Sequence, residues 1–117
     1  MAATLNHVAL TVSDRDHSAN FYANYFGFTD RVHEDDHLLI LTSKGGGLLA
    51  LSAGNPEEPW KRTTHFGFEL ASAAEVHSLR KRFNTDGIRE AEWQEKNPTR
   101  VQVFDPDGYR VEAYGWI

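Results

Sequence analysis

"LNHVALTV", residues 5–12, and "TTHFGFEL", residues 63–70, decide how this chain is read. Both alternate apolar with polar or small residues at a period of two, the mark of a strand with one buried face. In the first, His7, Ala9 and Thr11 share one face and Val8, Leu10 and Val12 the other. In the second, His65, Gly67 and Glu69 oppose Phe66, Phe68 and Leu70. A histidine stands third in each strand, at residues 7 and 65, so the spacing is 58.

The segments after these two strands repeat as well. Ser13 or Asp14 caps a helix whose apolar positions Ala19, Tyr22, Tyr25 and Phe26 recur at three and four, and Gly27 stops it. Strands are expected over 28–34, 37–42 and 48–52, separated by the Asp35-Asp36 turn and by Gly45-Gly46-Gly47. The glycine run lacks the flanks of a nucleotide loop and reads as a hairpin turn. Gly54 to Pro59 is the strongest linker signal. In the second half, Ser72-Ala73-Ala74-Glu75 is a capping box opening a helix with Val76, Leu79 and Phe83 inward, and Gly87 ends it. Strands over 88–93, 100–104 and 109–114 complete the pattern, the last two joined by Asp105-Pro106-Asp107-Gly108. The order is βαβββ twice. This predicts an α+β fold in one domain, 1–117, with modules 1–54 and 63–117 joined by a linker at 55–62.

The composition, 40% hydrophobic and 25% charged over 117 residues, is that of an ordinary globular protein. With no cysteine, disulfides, thiolate metal sites and cysteine nucleophiles are excluded. The stretch MAATLNHVAL carries no targeting pattern and no run approaches the ~20 apolar residues of a membrane span, so the cytoplasm is the expected compartment and no membrane partner is expected. A net charge of −5 with scattered basic residues argues against a nucleic-acid partner. Arg80-Lys81-Arg82 falls on a helix and reads as a solvated face.

The repeat changes the value of the histidines. Identical side chains at equivalent positions of a duplicated unit are related by the pseudo-twofold of the duplication and can converge. His7 and His65, with Glu112 in the last strand, make a two-histidine, one-carboxylate set that leaves coordination positions open. Each also has a plainer reading: a half-buried strand histidine, or a surface carboxylate paired with Arg100 or Arg110. His17 and His77 fall at polar helix positions, and His33 and His37 flank an acidic turn as solvated groups. Arg100 and Lys96 can contact an anionic substrate, or balance Glu92, Glu95 and Asp105. Trp93, with Trp60 and Trp116, can line a pocket or pack at a linker or subunit contact. No nucleophile elbow is present.

Several stretches together resemble the vicinal oxygen chelate superfamily, which holds glyoxalases, bleomycin-resistance proteins, extradiol dioxygenases and fosfomycin-resistance thiol transferases. They are Asn6-His7-Val8, Phe21-Tyr22 with Phe26-Gly27-Phe28 after it, His65-Phe66, and Asp105-Pro106-Asp107-Gly108-Tyr109 with Val111-Glu112. The resemblance implies mixed curved sheets forming a cavity in a homodimer. It also implies a divalent metal ion (Mn, Ni, Fe or Zn) on His7, His65 and Glu112, a small-molecule substrate, and in some members a thiol cosubstrate such as glutathione. Ala50 matches the position that often supplies a fourth ligand, which departs from a typical glyoxalase I; the ligand pattern is nearest to the fosfomycin-resistance transferases. The resemblance leaves three functions open: a metal-dependent lyase or transferase acting on a chelating substrate, a metal-free protein that sequesters an antibiotic of the bleomycin type, or a structural or regulatory dimer whose histidines are vestigial.

Overall fold

Asp14 begins the first helix: its backbone is extended and its carboxylate accepts the N–H of His17 at 3.1 Å, which satisfies one of the helix's free donors. A computed structural model describes all residues, 1–117. It divides into two compact units, Met1–Glu57 and Glu58–Ile117.

The first unit runs β1 (His7–Val12), α1 (Arg15–Phe26), β2 (Asp30–Glu34), β3 (Leu38–Thr42) and β4 (Leu48–Ala53). Its sheet has the order β1-β4-β3-β2, with β1 parallel to β4 and the other pairs antiparallel. Leu10, Val12, Leu39, Leu41, Leu49 and Leu51 bury one face of it, with Ala19, Phe21 and Tyr22 of α1 also buried. The second unit repeats this with β5 (Phe66–Glu69), α2 (Ala73–Thr85), β6 (Glu90–Gln94), β7 (Thr99–Phe104) and β8 (Arg110–Gly115), in the order β5-β8-β7-β6. There the buried set is Val101, Val103, Val111 and Ala113, together with Val76, Leu79 and Phe83 of α2. The expected α+β fold of two βαβββ modules is what the chain forms.

Both helices start as the sequence predicts. Ser72 accepts the N–H of Glu75, and the Glu75 carboxylate reaches back to the N–H of Ala71. Strand ends differ from expectation, each for a local reason. The sequence pattern opens β2 at Phe28, but the Phe28 N–H closes the end of α1 on the Tyr22 carbonyl, beside Gly27 at φ +74°. Ile88 does the same on the Phe83 carbonyl, so β6 also begins two residues late. β5 starts at Phe66 rather than residue 63, because the Thr64 N–H turns back to the Lys61 carbonyl. His65 therefore immediately precedes its strand, whereas His7 opens β1. Each unit also carries one β-bulge, between Arg31 and His33 and between Glu90 and Glu92.

The acidic turn of the first unit is tightly built. Asp35 accepts the N–H groups of His37 and Leu38 at 2.7 and 2.8 Å and meets His33 Nε2 at 2.8 Å. The His37 N–H, and after it the His33 ring, holds its carboxyl far below the ordinary value. His33 is thus a turn-bracing group.

Candidate active site

The strand register of the second unit places a row of side chains on the sheet face away from α2. Gly67 of β5 pairs with Glu112 of β8, Glu112 with Gln102 of β7, and Gln102 with Glu92 of β6. Alternation then puts Arg100 and Arg110 on the same face, two residues from Gln102 and Glu112 respectively.

Glu112 Oε1 stands at the centre, 3.1 Å from Arg100 Nη1 and 3.8 Å from His65 Nε2. The same Arg100 nitrogen lies 3.7 Å from Glu92 Oε2, and Glu92 Oε1 accepts from Arg62 Nε at 2.6 Å. A chain of alternating charge, Arg62, Glu92, Arg100, Glu112, thus runs across three strands and ends at the His65 ring. Its carboxylates are well covered, with side-chain exposures of 18% for Glu92 and 14% for Glu112. The hydrogen bond from Arg62, reinforced by the charges of Arg62, Arg100 and Arg110, lowers the Glu92 pKa. Together with Thr63 these residues line an open depression of about 470 Å³.

Beneath it, Gln102 is fully buried, and its Oε1 accepts from Arg110 Nη1 at 3.1 Å while its Nε2 has no partner. Arg110 is fixed in turn by its Nε–H donating to the Trp60 carbonyl at 3.2 Å. The Asp105 turn aims β8: Asp105 Oδ1 accepts from the N–H groups of Asp107 and Tyr109, which sets the register that brings Glu112 opposite Gly67.

Of the residues singled out from the sequence, the second unit gathers His65, Glu112 and Arg100. His7 lies exposed at the start of β1, its Nδ1 2.9 Å from Asn6 Oδ1. No group of three histidine, aspartate or glutamate side chains stands in metal-holding geometry. Lys96 is exposed in the turn before β7 and lines no part of the depression; its carbonyl accepts from the Thr99 hydroxyl. Trp93 sits on the opposite sheet face, in register with the buried Val101, with the Arg80 guanidinium 4.0 Å over its ring and His77 at its edge. Its neighbours are those of α2, so it packs a helix rather than the site. Glu92 and Arg62 join the site without having stood out in the sequence. The signal for Glu92 is its register with Gln102 and Glu112, which the bulge at Ala91 sets and which no sequence period shows.

The donor chemistry suits a divalent ion. Two adjacent ligands each about 2.1 Å from one ion stand roughly 3.0 to 3.4 Å apart in octahedral or tetrahedral geometry, and the imidazole and carboxylate here, 3.8 Å apart, lie within a small side-chain adjustment of that. Gly67 keeps the space beside them clear, since a Cβ there would come within 3.2 Å of Glu112 Cβ. Arg100 is the resident positive partner of the carboxylate.

The family model of the Glyoxalase/Bleomycin resistance protein/Dioxygenase superfamily matches residues 4–113. The chain belongs to that superfamily. A probable trivalent organoarsenical cleaving enzyme of Bacillus subtilis is 26% identical over 113 residues, covering 92% of this chain and 77% of that protein. A possible glyoxalase from Bacillus cereus superposes with a TM-score of 0.81 at 26% identity, covering 97% of this chain and 99% of that one. The fosfomycin resistance protein FosX of Listeria monocytogenes shares the fold at a TM-score of 0.85 and 18% identity, over 100% and 96% of the two chains. FosX has also been seen complexed with Mn(II) and a sulfate ion. The βαβββ repeat of this superfamily member carries its charged array on the second unit alone.

Proposed function

We propose that the chain is a metal-dependent enzyme of the glyoxalase or resistance-transferase type, acting on a small oxygenated substrate that chelates the ion through two adjacent oxygens. The observation that carries this reading is the convergence of His65 Nε2 and Glu112 Oε1 on the depression, beside a glycine that leaves room for a ligand. His65 and Glu112 are proposed as ligands, with His7 as the third by its repeat-equivalent position. When bound, the ion supplies Lewis-acid stabilisation of negative charge developing on a substrate oxygen.

The chain's own residues do the rest. The N–H groups of Arg100 and Arg62 offer charge-assisted hydrogen bonds to an anionic substituent and orient it against Glu112. Glu92 holds both guanidiniums in place and, with its pKa lowered, stays ionised throughout the neutral range. Lys96 and Trp93, placed away from the depression, are left out of this substrate-binding set.

The relatives named for cleaving trivalent organoarsenicals suggest a narrower activity. Trivalent arsenic is soft and seeks thiolates, whereas this chain has no cysteine and offers only nitrogen and oxygen donors. Nitrogen and oxygen donors select a harder metal ion, and such an ion in turn favours an oxygenated substrate.

One observation favours the metal-free alternative, a protein that binds and sequesters a small molecule: Arg100 already neutralises Glu112. Against it, the depression is lined by charged and hydrogen-bonding side chains, where a sequestering pocket for a large aromatic ligand is mostly apolar. Turnover separates the two. Chelated protein reloaded with Mn²⁺, Ni²⁺, Fe²⁺ or Zn²⁺ is screened against thiol adducts of 2-oxoaldehydes, epoxide antibiotics and catechols. Metal-restored turnover of one class, lost in Glu112→Ala, is expected; stoichiometric ligand binding without turnover and indifferent to metal would install the sequestration reading instead.

A further inference from the structure

Arg100 uses only one of its nitrogens. Nη1 faces both Glu112, at 3.1 Å, and Glu92, at 3.7 Å, while Nε and Nη2 have no partner in the structure. The guanidinium therefore stands between two carboxylates on the strands flanking its own, closer to the one proposed to bind metal. Glu112 Oε1, the oxygen it holds, is also the one nearest His65. A cation entering between His65 and Glu112 must share that oxygen with Arg100 or displace it, because two positive centres on one carboxylate oxygen repel each other.

The displaced side chain has somewhere to go. Glu92 is within 0.6 Å of equal distance from the same nitrogen, since 3.7 and 3.1 Å differ by that amount. It is ionised, and its only other close partner is Arg62. The depression also pairs its fixed charges, two guanidiniums with two carboxylates. A divalent ion leaves it with a surplus of two positive charges, and the unpaired edge of Arg100 has the planar fork that matches an oxyanion.

Resting on the metal-dependent reading, we propose that Arg100 is an exchangeable counter-ion of Glu112. It neutralises the carboxylate in the metal-free protein, moves to Glu92 when a divalent ion binds, and then presents its free N–H edge to an oxyanion, so that metal and oxyanion bind cooperatively. This makes the substrate's anionic group a condition for tight metal retention, through one side chain that pairs with the metal-binding carboxylate in one state and with the oxyanion in the other.

The test is Mn²⁺ titration by calorimetry of the full chain in chloride and in sulfate at equal ionic strength. Three variants accompany the wild type: Arg100→Gln, Arg100→Lys and, as a charge control, Lys81→Gln, exposed on α2 and outside the depression. In chloride, Arg100→Gln binds Mn²⁺ roughly three- to tenfold more tightly than wild type, the range expected for losing one partly exposed ion pair, and Lys81→Gln changes by less than about twofold. Sulfate tightens wild-type Mn²⁺ binding several-fold and leaves Arg100→Gln unchanged. Arg100→Lys keeps the charge without the fork, so it matches wild type in chloride and loses the sulfate gain. Equal Mn²⁺ affinity of wild type and Arg100→Gln, an equal gain in Lys81→Gln, or a sulfate effect that survives in both Arg100 variants overturns the exchange while leaving the metal reading intact. If neither wild type nor any variant binds Mn²⁺, the metal reading falls and takes the exchange with it.

Discussion

The two units place the same backbone under different chemistry. Across the first sheet, on the face away from α1, the register aligns Ala9, Ala50, Ile40 and His33. The corresponding row of the second is Gly67, Glu112, Gln102 and Glu92. Helices, caps, bulges and strand order are repeated between them, yet one row holds two carboxylates braced by arginines and the other holds two alanines, an isoleucine and a histidine, with no carboxylate. Duplication thus supplies the scaffold, and the proposed function draws mainly on one face of the second copy, with His7 as the first copy's proposed contribution. Ala50 makes the point most sharply, since it occupies in β4 the place that Glu112 occupies in β8.

Transplanting the carboxylate should break the comparison most strongly. In Ala50→Glu the new charge meets Ala9 and Ile40, with no arginine placed like Arg100, so urea unfolding should show a loss of about 1–3 kcal/mol. Glu112→Ala leaves Arg100 with Glu92 and should cost less than about 1 kcal/mol. Equal costs would mean the second face is not specially built for charge.

Gly67→Ala is a smaller perturbation of the same row. The added Cβ falls 3.2 Å from both Glu112 Cβ and the Glu112 carbonyl oxygen, so β8 must yield by a few tenths of an ångström. A stability loss of about 1 kcal/mol is expected, with a several-fold drop in divalent-ion affinity as Glu112 shifts. An unchanged affinity would place the ligand site elsewhere.

The smallest effect is one of pH. Because the Glu92 pKa is lowered on folding, the unfolded chain binds more protons than the native one in acid. The stability Glu92 contributes is present above its unfolded value, about 4.3, and is lost as pH falls through the folded value. Urea midpoints at pH 7 and pH 3 should therefore differ more for wild type than for Arg62→Gln, whose Glu92 has lost its main partner. An identical drop in both proteins would show that Arg62 does not hold that carboxylate in solution.

Much of this is legible in the sequence, and the parts that are not share a cause. Alternation, the Asp14 cap, the Ser72 capping box and the closing glycines give the βαβββ repeat directly, because each is a local signal. His65 and Glu112 are legible through the repeat and through resemblance. The late starts of β2 and β6 are hidden because Phe28 and Ile88 look like strand residues while their N–H groups serve the preceding helices. Glu92, expected as a counter-charge, faces the arginines, and Trp93, expected in a pocket or at a contact, packs against α2, since the bulge in β6 sets which of two neighbours faces which side. Charges such as Arg62 and Glu92, 30 residues apart, look solvated until register brings them to 2.6 Å.

The proposed function depends on a divalent ion bound through Glu112, His65 and His7. Equilibrium dialysis of Mn²⁺ against wild type, His7→Ala, His65→Ala and Glu112→Ala tests it most directly. The account predicts one ion per wild-type chain and affinity weakened by about a hundredfold or more in each variant, since loss of even an outer partner of a metal ligand costs roughly 10–100-fold. Wild-type affinity retained in Glu112→Ala would contradict it.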